Sequence, residues 1–452
     1  MVTSAAKHLN TLDPVGPMDT LETTSTNSQP SWWSYPVRTQ FTNDLLGTAT
    51  FTMLPWSTTG FQIILLIWLT GILGVSLRED GAAILLHLRR PHCMFPLLIF
   101  VLALAGTAWS EAPWLTALYT IKSTAKFIAL PLIAYHFERS QRATWALAAF
   151  FISCSLLMAL SWMSYVEPSI RLEASKNAGV PVKNYIDQSQ EFALCMIAAA
   201  PLAMELFKQG RIAIFGGLVT LIAAFFTNMI FVVSARTALI YIPAMLGVLA
   251  LKFLTRRQSM TLLLAALTAA AALWTTPSFL RTRIADVSRE YQLYLENVPR
   301  STGQRLYYWQ ESLTFFAAAP IIGHGTGSTE ILFSQKAQGK MGLEAEVTRN
   351  PHNQTLNMAV QWGVLGIAVL YATWICHLLL FRGRGFASWL GFLVVTQNIF
   401  SSLLNSHLFD FQEGWMYVLG VGLGAGVLTK EGRDGEVHVI ATHPRTVADG
   451  RC

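Results

Sequence analysis

Three cations stand at positions where a largely apolar chain needs a reason to keep them. Arg236 lies in Ser234-Ala235-Arg236-Thr237, between two apolar stretches with almost no loop between them. Arg305 belongs to Gly303-Gln304-Arg305-Leu306-Tyr307-Tyr308-Trp309, whose pattern predicts an amphipathic helix. His352 sits in Asn350-Pro351-His352-Asn353, where Pro and Asn mark the start of the next helix. A guanidinium can grip a phosphate with bidentate geometry. An imidazole near the positive end of a helix dipole is disfavoured as the cation and is ready to accept a proton. Each residue also has a plainer reading: Arg236 snorkelling to lipid phosphates, Arg305 in a surface ion pair, His352 as a helix cap. Asp410, in Ser406-His407-Leu408-Phe409-Asp410-Phe411, is a candidate to orient a base or to balance the arginines. Asn353 and Gly325 are candidates for a supporting role, although Gly323-His324-Gly325-Thr326-Gly327-Ser328 reads first as a tight structural turn.

The elements that must position these residues are membrane helices. With 53% apolar residues, 13% charged residues and a mean hydropathy of +0.42, the chain cannot be an ordinary soluble domain. Apolar stretches long enough to cross ~30 Å of hydrocarbon are predicted near 43–58, 61–77, 93–109, 116–136, 143–163, 190–207, 211–233, 236–254, 260–276, 356–381, 386–403 and 413–429. The expected fold is an all-α polytopic membrane protein of about twelve transmembrane helices. Residues 41–276 would carry helices 1–9 and 356–429 helices 10–12. The polar stretch 277–355 would form one large, partly helical loop bearing the chemistry. Residues 1–40 and 430–452 read as cytoplasmic tails, the first rich in Thr, Ser, Pro and Asn and expected to be disordered.

Orientation follows from Lys and Arg. Arg78, Arg89, Arg90, Arg139, Arg142, Lys208, Arg211, Lys252, Arg256, Arg257, Arg382 and Arg384 all fall after even-numbered spans, whereas the loops near 58–60, 110–115 and 404–412 carry none. Cytoplasmic loops retain positive charge, so both termini are expected inside and the 277–355 loop outside. The outward loop at 164–189, with Arg171, Lys176 and Lys183, is the exception.

Several chemistries find no support. There is no G-x-x-x-x-G-K-[ST] nucleotide loop, and no clustered basic face with interleaved aromatics for nucleic acid. The five cysteines are scattered without a C-x-x-C pair, so neither a disulfide framework nor a zinc site is expected. No clustered acidic pair suggests a metal cage, and carboxylates inside the spans are scarce, Glu205 being the main one. No cofactor and no metal are expected.

Taken together, Ser-Ala-Arg-Thr at 234–237, Gly-Gln-Arg-Leu-x-x-Trp at 303–309, Pro-Ile-Ile-Gly-His-Gly-Thr-Gly-Ser at 320–328, Pro-His-Asn-Gln-x-Leu at 351–356 and Trp-Gly-Val-Leu-Gly at 362–366 resemble the O-antigen ligase family. That family includes O-antigen polymerases and protein O-oligosaccharyltransferases. The resemblance covers roughly 190–425; the N-terminal half shares only hydropathy, and Gln304 replaces the residue many members carry before the Arg. It implies an architecture like that of GT-C glycosyltransferases and a reaction at the periplasmic face of the bacterial inner membrane. A glycan would pass from undecaprenyl diphosphate to lipid A core oligosaccharide, with inversion and without a metal. Arg236 and Arg305 would stabilise the diphosphate and His352 would act as general base. The donor glycan, the acceptor and membrane lipids are the implied partners, with no nucleotide or nucleic acid. A polymerase or a protein O-oligosaccharyltransferase shares the chemistry, and the Pro-His-Asn motif favours ligase. A lipid-linked glycan transporter would call for symmetric halves and midplane charges, and a structural scaffold leaves Arg236 unexplained.

Overall fold

A computed structural model of the protein describes residues 35–79, 81–170, 178–232, 235–275 and 279–442. Residues 1–34 and 443–452 of the predicted tails, Arg171 and Lys176 of the 164–189 loop, and Ser234 of the arginine motif lie outside the described residues. Among the described residues the chain is helical, without strands, as apolar sequence in hydrocarbon demands: each helix satisfies its own backbone hydrogen bonds. In order the helices are α1 (Tyr35–Met53), α2 (Thr58–Glu79), α3 (Gly81–Arg89), α4 (Pro91–Ala105), α5 (Trp114–Thr124), α6 (Ala129–Arg139), α7 (Ala143–Val166), α8 (Tyr185–Lys208), α9 (Ile212–Phe231), α10 (Ala238–Phe253), α11 (Arg256–Thr275), α12 (Phe279–Leu295), α13 (Ser301–Ala318), α14 (Ser328–Ala337), α15 (Gln354–Leu380), α16 (Phe386–Ser401) and α17 (Phe411–Thr442).

Seven helical segments among the described residues are long and apolar enough to cross a membrane: Thr58–Arg78, Pro91–Ala108, Trp114–Arg139, Ala143–Val166, Tyr185–Lys208, Ile212–Phe231 and Gln354–Leu380. Ala238–Phe253 and Phe386–Ser401 are apolar but shorter. The protein is therefore a polytopic helical membrane protein. Two predicted boundaries shift: α1 begins inside the expected N-terminal tail, and α17 runs past residue 429 to Thr442.

α17 lies along α6, with α16 on another flank, and the contact depends on a small residue. A Cβ on Gly426 would stand 2.5 Å from the Ala134 carbonyl oxygen, so only glycine lets the two backbones approach this closely. At this end of the bundle Arg90 Nη1 donates to Thr429 Oγ1 at 2.7 Å, Arg433 meets Glu138 at 3.2 Å, and Lys430 donates to the Ser140 carbonyl at 3.0 Å. The starts of α2, α8 and α17 gather at the opposite end around a cavity of about 490 Å³.

The expected scarcity of buried carboxylates does not hold. Glu205 is exposed, while Asp44, Glu138, Glu191 and Glu413 are buried. Asp44, Glu138 and Glu191 survive burial because each has a polar neighbour from a distant segment, whereas among the described residues Glu413 has only the nearby His407 within ion-pair reach and its Oε1 accepts no hydrogen bond. Asp44 meets His136 at 3.3 Å and Arg142 at 3.0 Å, Glu138 meets His87 at 2.6 Å, Glu191 accepts from Gln412, and Glu413 lies 3.4 Å from His407.

Between α11 and α15 the polar stretch folds into α12, α13 and α14 around a small core of its own, made by Tyr307, Tyr308, Phe333 and Leu343. α12 contacts α9, and α13 packs on α15, so this layer is seated directly on the bundle. Substituting Gly426→Leu should lower stability by about 1–3 kcal/mol, the usual cost of overpacking. Thermal melting of the detergent-purified protein measures it, and an unchanged melting temperature would remove the close α6–α17 contact from this account.

Candidate functional site

Arg236 occupies the turn that joins α9 to α10. Its guanidinium forks onto Glu290 of α12, with Nη1 to Oε2 at 2.7 Å and Nη2 to Oε1 at 2.8 Å; Nη1 also donates to Thr302 Oγ1 at 3.2 Å. Asp286 stands 3.9 Å away. Glu290 further accepts the Thr302 amide at 2.9 Å and its hydroxyl at 2.5 Å. Arg236 first, with Thr302, pushes the Glu290 carboxyl down to about 2. The guanidinium thus grips a protein carboxylate, not bulk lipid, and an arriving anion has to share or displace that grip. Nothing in the sequence spacing pointed to Glu290, because the pairing spans two intervening helices, α10 and α11.

Arg305, in the second turn of α13, is half-buried, and among the described residues no hydrogen bond or ion pair reaches its guanidinium. Burial, with Arg236 as a like-charged neighbour, lowers its pKa from the ordinary value, while Tyr185 and Glu290 act the other way. It is not the surface salt-bridge residue of the plainer reading. A partly desolvated cation with no hydrogen-bonded counter-ion is the kind of group that an anion can satisfy.

His352 lies between Arg305 and the loop after α16. Its φ is +55°, and its backbone is held on both sides: its amide donates to Asn350 Oδ1 at 2.8 Å and its carbonyl accepts from Trp309 Nε1 at 3.3 Å. The ring stacks on Tyr308 with centroids 6.0 Å apart. Nδ1 faces Asn405 Oδ1 at 2.7 Å. The Asn405 amide is oriented by its other contacts, since Nδ2 donates to Asp410 Oδ2 at 2.8 Å and Oδ1 also accepts from Asn350 Nδ2 at 3.1 Å. Nδ1 must then carry the proton, a tautomer assigned from the network, and Nε2 keeps the lone pair. Burial first, and then the Arg305 charge, hold the His352 pKa below its ordinary value, while Asn405 raises it. The environment favours the neutral ring, and Nε2 has no hydrogen-bond partner among the described residues.

Asp410 reaches His352 only through Asn405 and contacts neither arginine among the described residues. Asn405, absent from the sequence reading, supplies the direct contact, and an Asn in a short polar loop carries no signal that would single it out. Asn353 is a support: its Oδ1 caps α15 by accepting the Leu356 amide at 3.0 Å, and its Nδ2 donates to the Leu403 carbonyl at 3.0 Å. Gly325 is structural. Its φ of +87° suits glycine, and a Cβ there would lie 2.6 Å from Ser110 Cα. The amides of Gly323, His324, Gly325, Thr326, Gly327 and Ser328 are all spent on protein acceptors, so the turn cradles no phosphate. It wedges between the 106–117 segment and α15, whose helix is kinked at Gly363.

Asn405 and Asp410 also form one wall of the 490 Å³ cavity, facing Lys183, Asn184 and Asp187. His407, Asp410 and Glu413 bring ligand atoms within 4.8 Å of one another, a grouping that no acidic pair in the sequence suggested. A protein cation already stands beside them. Lys126 Nζ donates to the Phe409 carbonyl at 3.2 Å and to that of Asp410, and it interacts electrostatically with Asp410 and Glu413.

Residues 220–371 match the family described as O-antigen ligase, a stretch that runs from α9 across Arg236, Arg305 and His352 into α15. An uncharacterized protein of Haemophilus influenzae is 29% identical over 170 residues, which cover 36% of this chain and 42% of that relative. The chain therefore spans less than half the length of that curated relative.

The Glu290 carboxyl titrates near 2 when folded against an ordinary 4.5, so its contribution to docking α12 is fully present above pH 4.5 and is lost as pH falls toward 2. Hydrogen exchange across 279–295 should rise over that window in the wild type. In Glu290→Gln it should be high already at neutral pH and should lose this dependence; an unchanged profile would mean that the pair does not hold the helix.

Proposed function

With residues 220–371 forming a domain of the O-antigen ligase family, we propose that this protein is an O-antigen ligase. It transfers a glycan from undecaprenyl diphosphate to lipid A core oligosaccharide at the periplasmic face of the bacterial inner membrane. The observation that carries this reading is the pairing of an imidazole, held through Nδ1 by Asn405 and Asp410, with a neighbouring guanidinium that makes no hydrogen bond or ion pair among the described residues. A base next to an unbalanced cation suits an attack that releases an anionic leaving group.

In this mechanism His352 Nε2 takes the proton of an acceptor sugar hydroxyl as its oxygen attacks the anomeric carbon. The bond from that carbon to the diphosphate oxygen breaks, and the bonding pair leaves with undecaprenyl diphosphate. Attack from the opposite face inverts the anomeric configuration. Arg305 stabilises the developing negative charge directly. Arg236 contributes by sharing its fork between Glu290 and the diphosphate, a competition that keeps it positioned between turnovers. The proton gained by His352 is delivered to solvent, and the Arg305 charge next to the ring favours its departure. The polarity of the short loops supports twelve spans with both termini cytoplasmic and the α12–α14 layer in the periplasm.

Complementation of a ligase-deficient bacterium with matched donor and acceptor tests the reading. Wild type should restore the long-chain lipopolysaccharide ladder, and His352→Ala should lose ~10²–10⁴-fold in transfer rate, the usual worth of a positioned base. Arg305→Ala should lose at least as much as Arg236→Ala, because only Arg305 lacks a protein partner. A wild type that polymerises carrier-linked repeats without loading lipid A core would make the protein a polymerase instead, and transfer to a protein Ser or Thr would make it an O-oligosaccharyltransferase.

The pH profile follows from the base. His352 must be neutral to work and its pKa is held below 6.5, so activity should rise through a midpoint below pH 6.5 and stay flat around neutrality. Asn405→Ala, which removes a contact that raises the pKa and fixes the tautomer, should move the midpoint further down and lower the plateau. A profile identical to wild type would leave Asn405 without a positioning role.

A further inference from the structure

We propose that His87, His92 and Cys93 form a binding site for a zinc-class divalent cation, at the end of the bundle remote from His352. Sequence spacing alone does not predict it, since a single Cys with His-x₄-His-Cys spacing is not a familiar ligand pattern. The backbone creates the grouping. α3 ends at Arg89, Arg90 is extended with φ −70° and ψ 134°, and α4 starts at Pro91. The break between the helices brings the first turn of α4 against the last turn of α3. One imidazole nitrogen of each histidine and the Cys93 sulfur then lie within 4.8 Å of one another, all buried.

Two independent observations point to a ligand. First, His87 Nδ1 and His92 Nε2 have no hydrogen-bond partner among the described residues, although the two residues are only 1% and 8% exposed. Two unsatisfied imidazole nitrogens and a thiol converging in one buried spot are costly unless something binds them. Second, the other nitrogen of His87 is held as a metal-bound histidine usually is: Nε2 lies 2.6 Å from Glu138 Oε2. A carboxylate accepting the Nε2 proton leaves Nδ1 with a free lone pair for a ligand. His92 is held through its main chain, whose carbonyl accepts from His377 Nε2 at 2.8 Å.

The donor set selects the class of ion. Two imidazoles and one thiolate suit zinc and exclude calcium and magnesium, which need oxygen ligands. Binding replaces the Cys93 thiol proton, which is released to solvent. Three protein donors leave the fourth position of a tetrahedral zinc to water. Arg90 at 3.9 Å and Arg433 at 3.2 Å balance the Glu138 charge. Arg90 also reaches Thr429, about 27 Å along α17 from its Phe411 end at 1.5 Å per residue, so the ion sits far from His352 and acts as a clip joining α3 and α4 to α6.

The test uses the full chain, purified in detergent from cells grown with zinc. Metal analysis should find about one zinc per chain. Stripping and reloading with cobalt(II) should produce thiolate-to-metal charge-transfer absorption that Cys93→Ser abolishes and Cys154→Ser leaves intact. Glu138→Gln should weaken zinc binding ~10–100-fold. Because the cobalt band is read on the wild type, a poorly folding variant does not block the test. Monodisperse wild type that carries no zinc and shows no thiolate–cobalt band overturns the site, as does zinc content that persists in the Cys93→Ser, His92→Gln double variant.

Discussion

The grip of Arg236 on Glu290 joins two environments that would otherwise separate. One partner stands at the rim of the apolar bundle, between α9 and α10, and the other on a polar helix that has no place in hydrocarbon. A bidentate pair with further donors from Thr302 is worth more than an isolated surface contact, since it is partly removed from water and geometrically fixed. It sets where α12 lies and, through Thr302, where α13 begins. From there the second turn of α13 delivers Arg305 to the neighbourhood of His352, and Trp309 of the same helix takes the His352 carbonyl.

A second anchor works by shape. The turn at 320–328 enters between the end of α4 and the kink of α15, with Thr326 Oγ1 donating to the Ala103 carbonyl at 2.7 Å and Trp362 Nε1 donating to Thr326 Oγ1 at 3.0 Å. Backbone amides that might have cradled phosphate are consumed in this packing. Glycines secure the polar layer to the bundle, which leaves side-chain cations, not backbone amides, as candidates to meet an anion. That division suits a reaction in which the protein's own charges meet a lipid diphosphate.

The base shows how a membrane protein keeps a histidine neutral and aimed. Burial and a nearby guanidinium disfavour the imidazolium, while an amide carbonyl oxygen fixes the proton on Nδ1. Interposing Asn405 between His352 and Asp410 orients the ring without placing a full negative charge against it. A carboxylate in direct contact would stabilise the cation and raise the pKa, so the indirect arrangement favours the form that accepts a proton. The same Asp410 also faces His407 and the polar cavity, which ties the orientation of the base to the loop between α16 and α17.

The sequence by itself determined the membrane class and the polar stretch set among apolar ones, and it singled out Arg236, Arg305 and His352 as candidates. These are legible because hydrocarbon tolerates charge only for cause, so composition and local motifs carry the information. It also set Asn353 and Gly325 to structural work, since capping and positive φ are local demands. Tertiary structure alone decided the pairings: Glu290 on Arg236, Asn405 between His352 and Asp410, the buried carboxylates with their partners, and the meeting of His87, His92 and Cys93. Each joins segments separated by at least a helix break and up to a whole helical layer. Side chains that satisfy one another across such distances leave no period or spacing in the chain, because packing, not sequence proximity, brings them together.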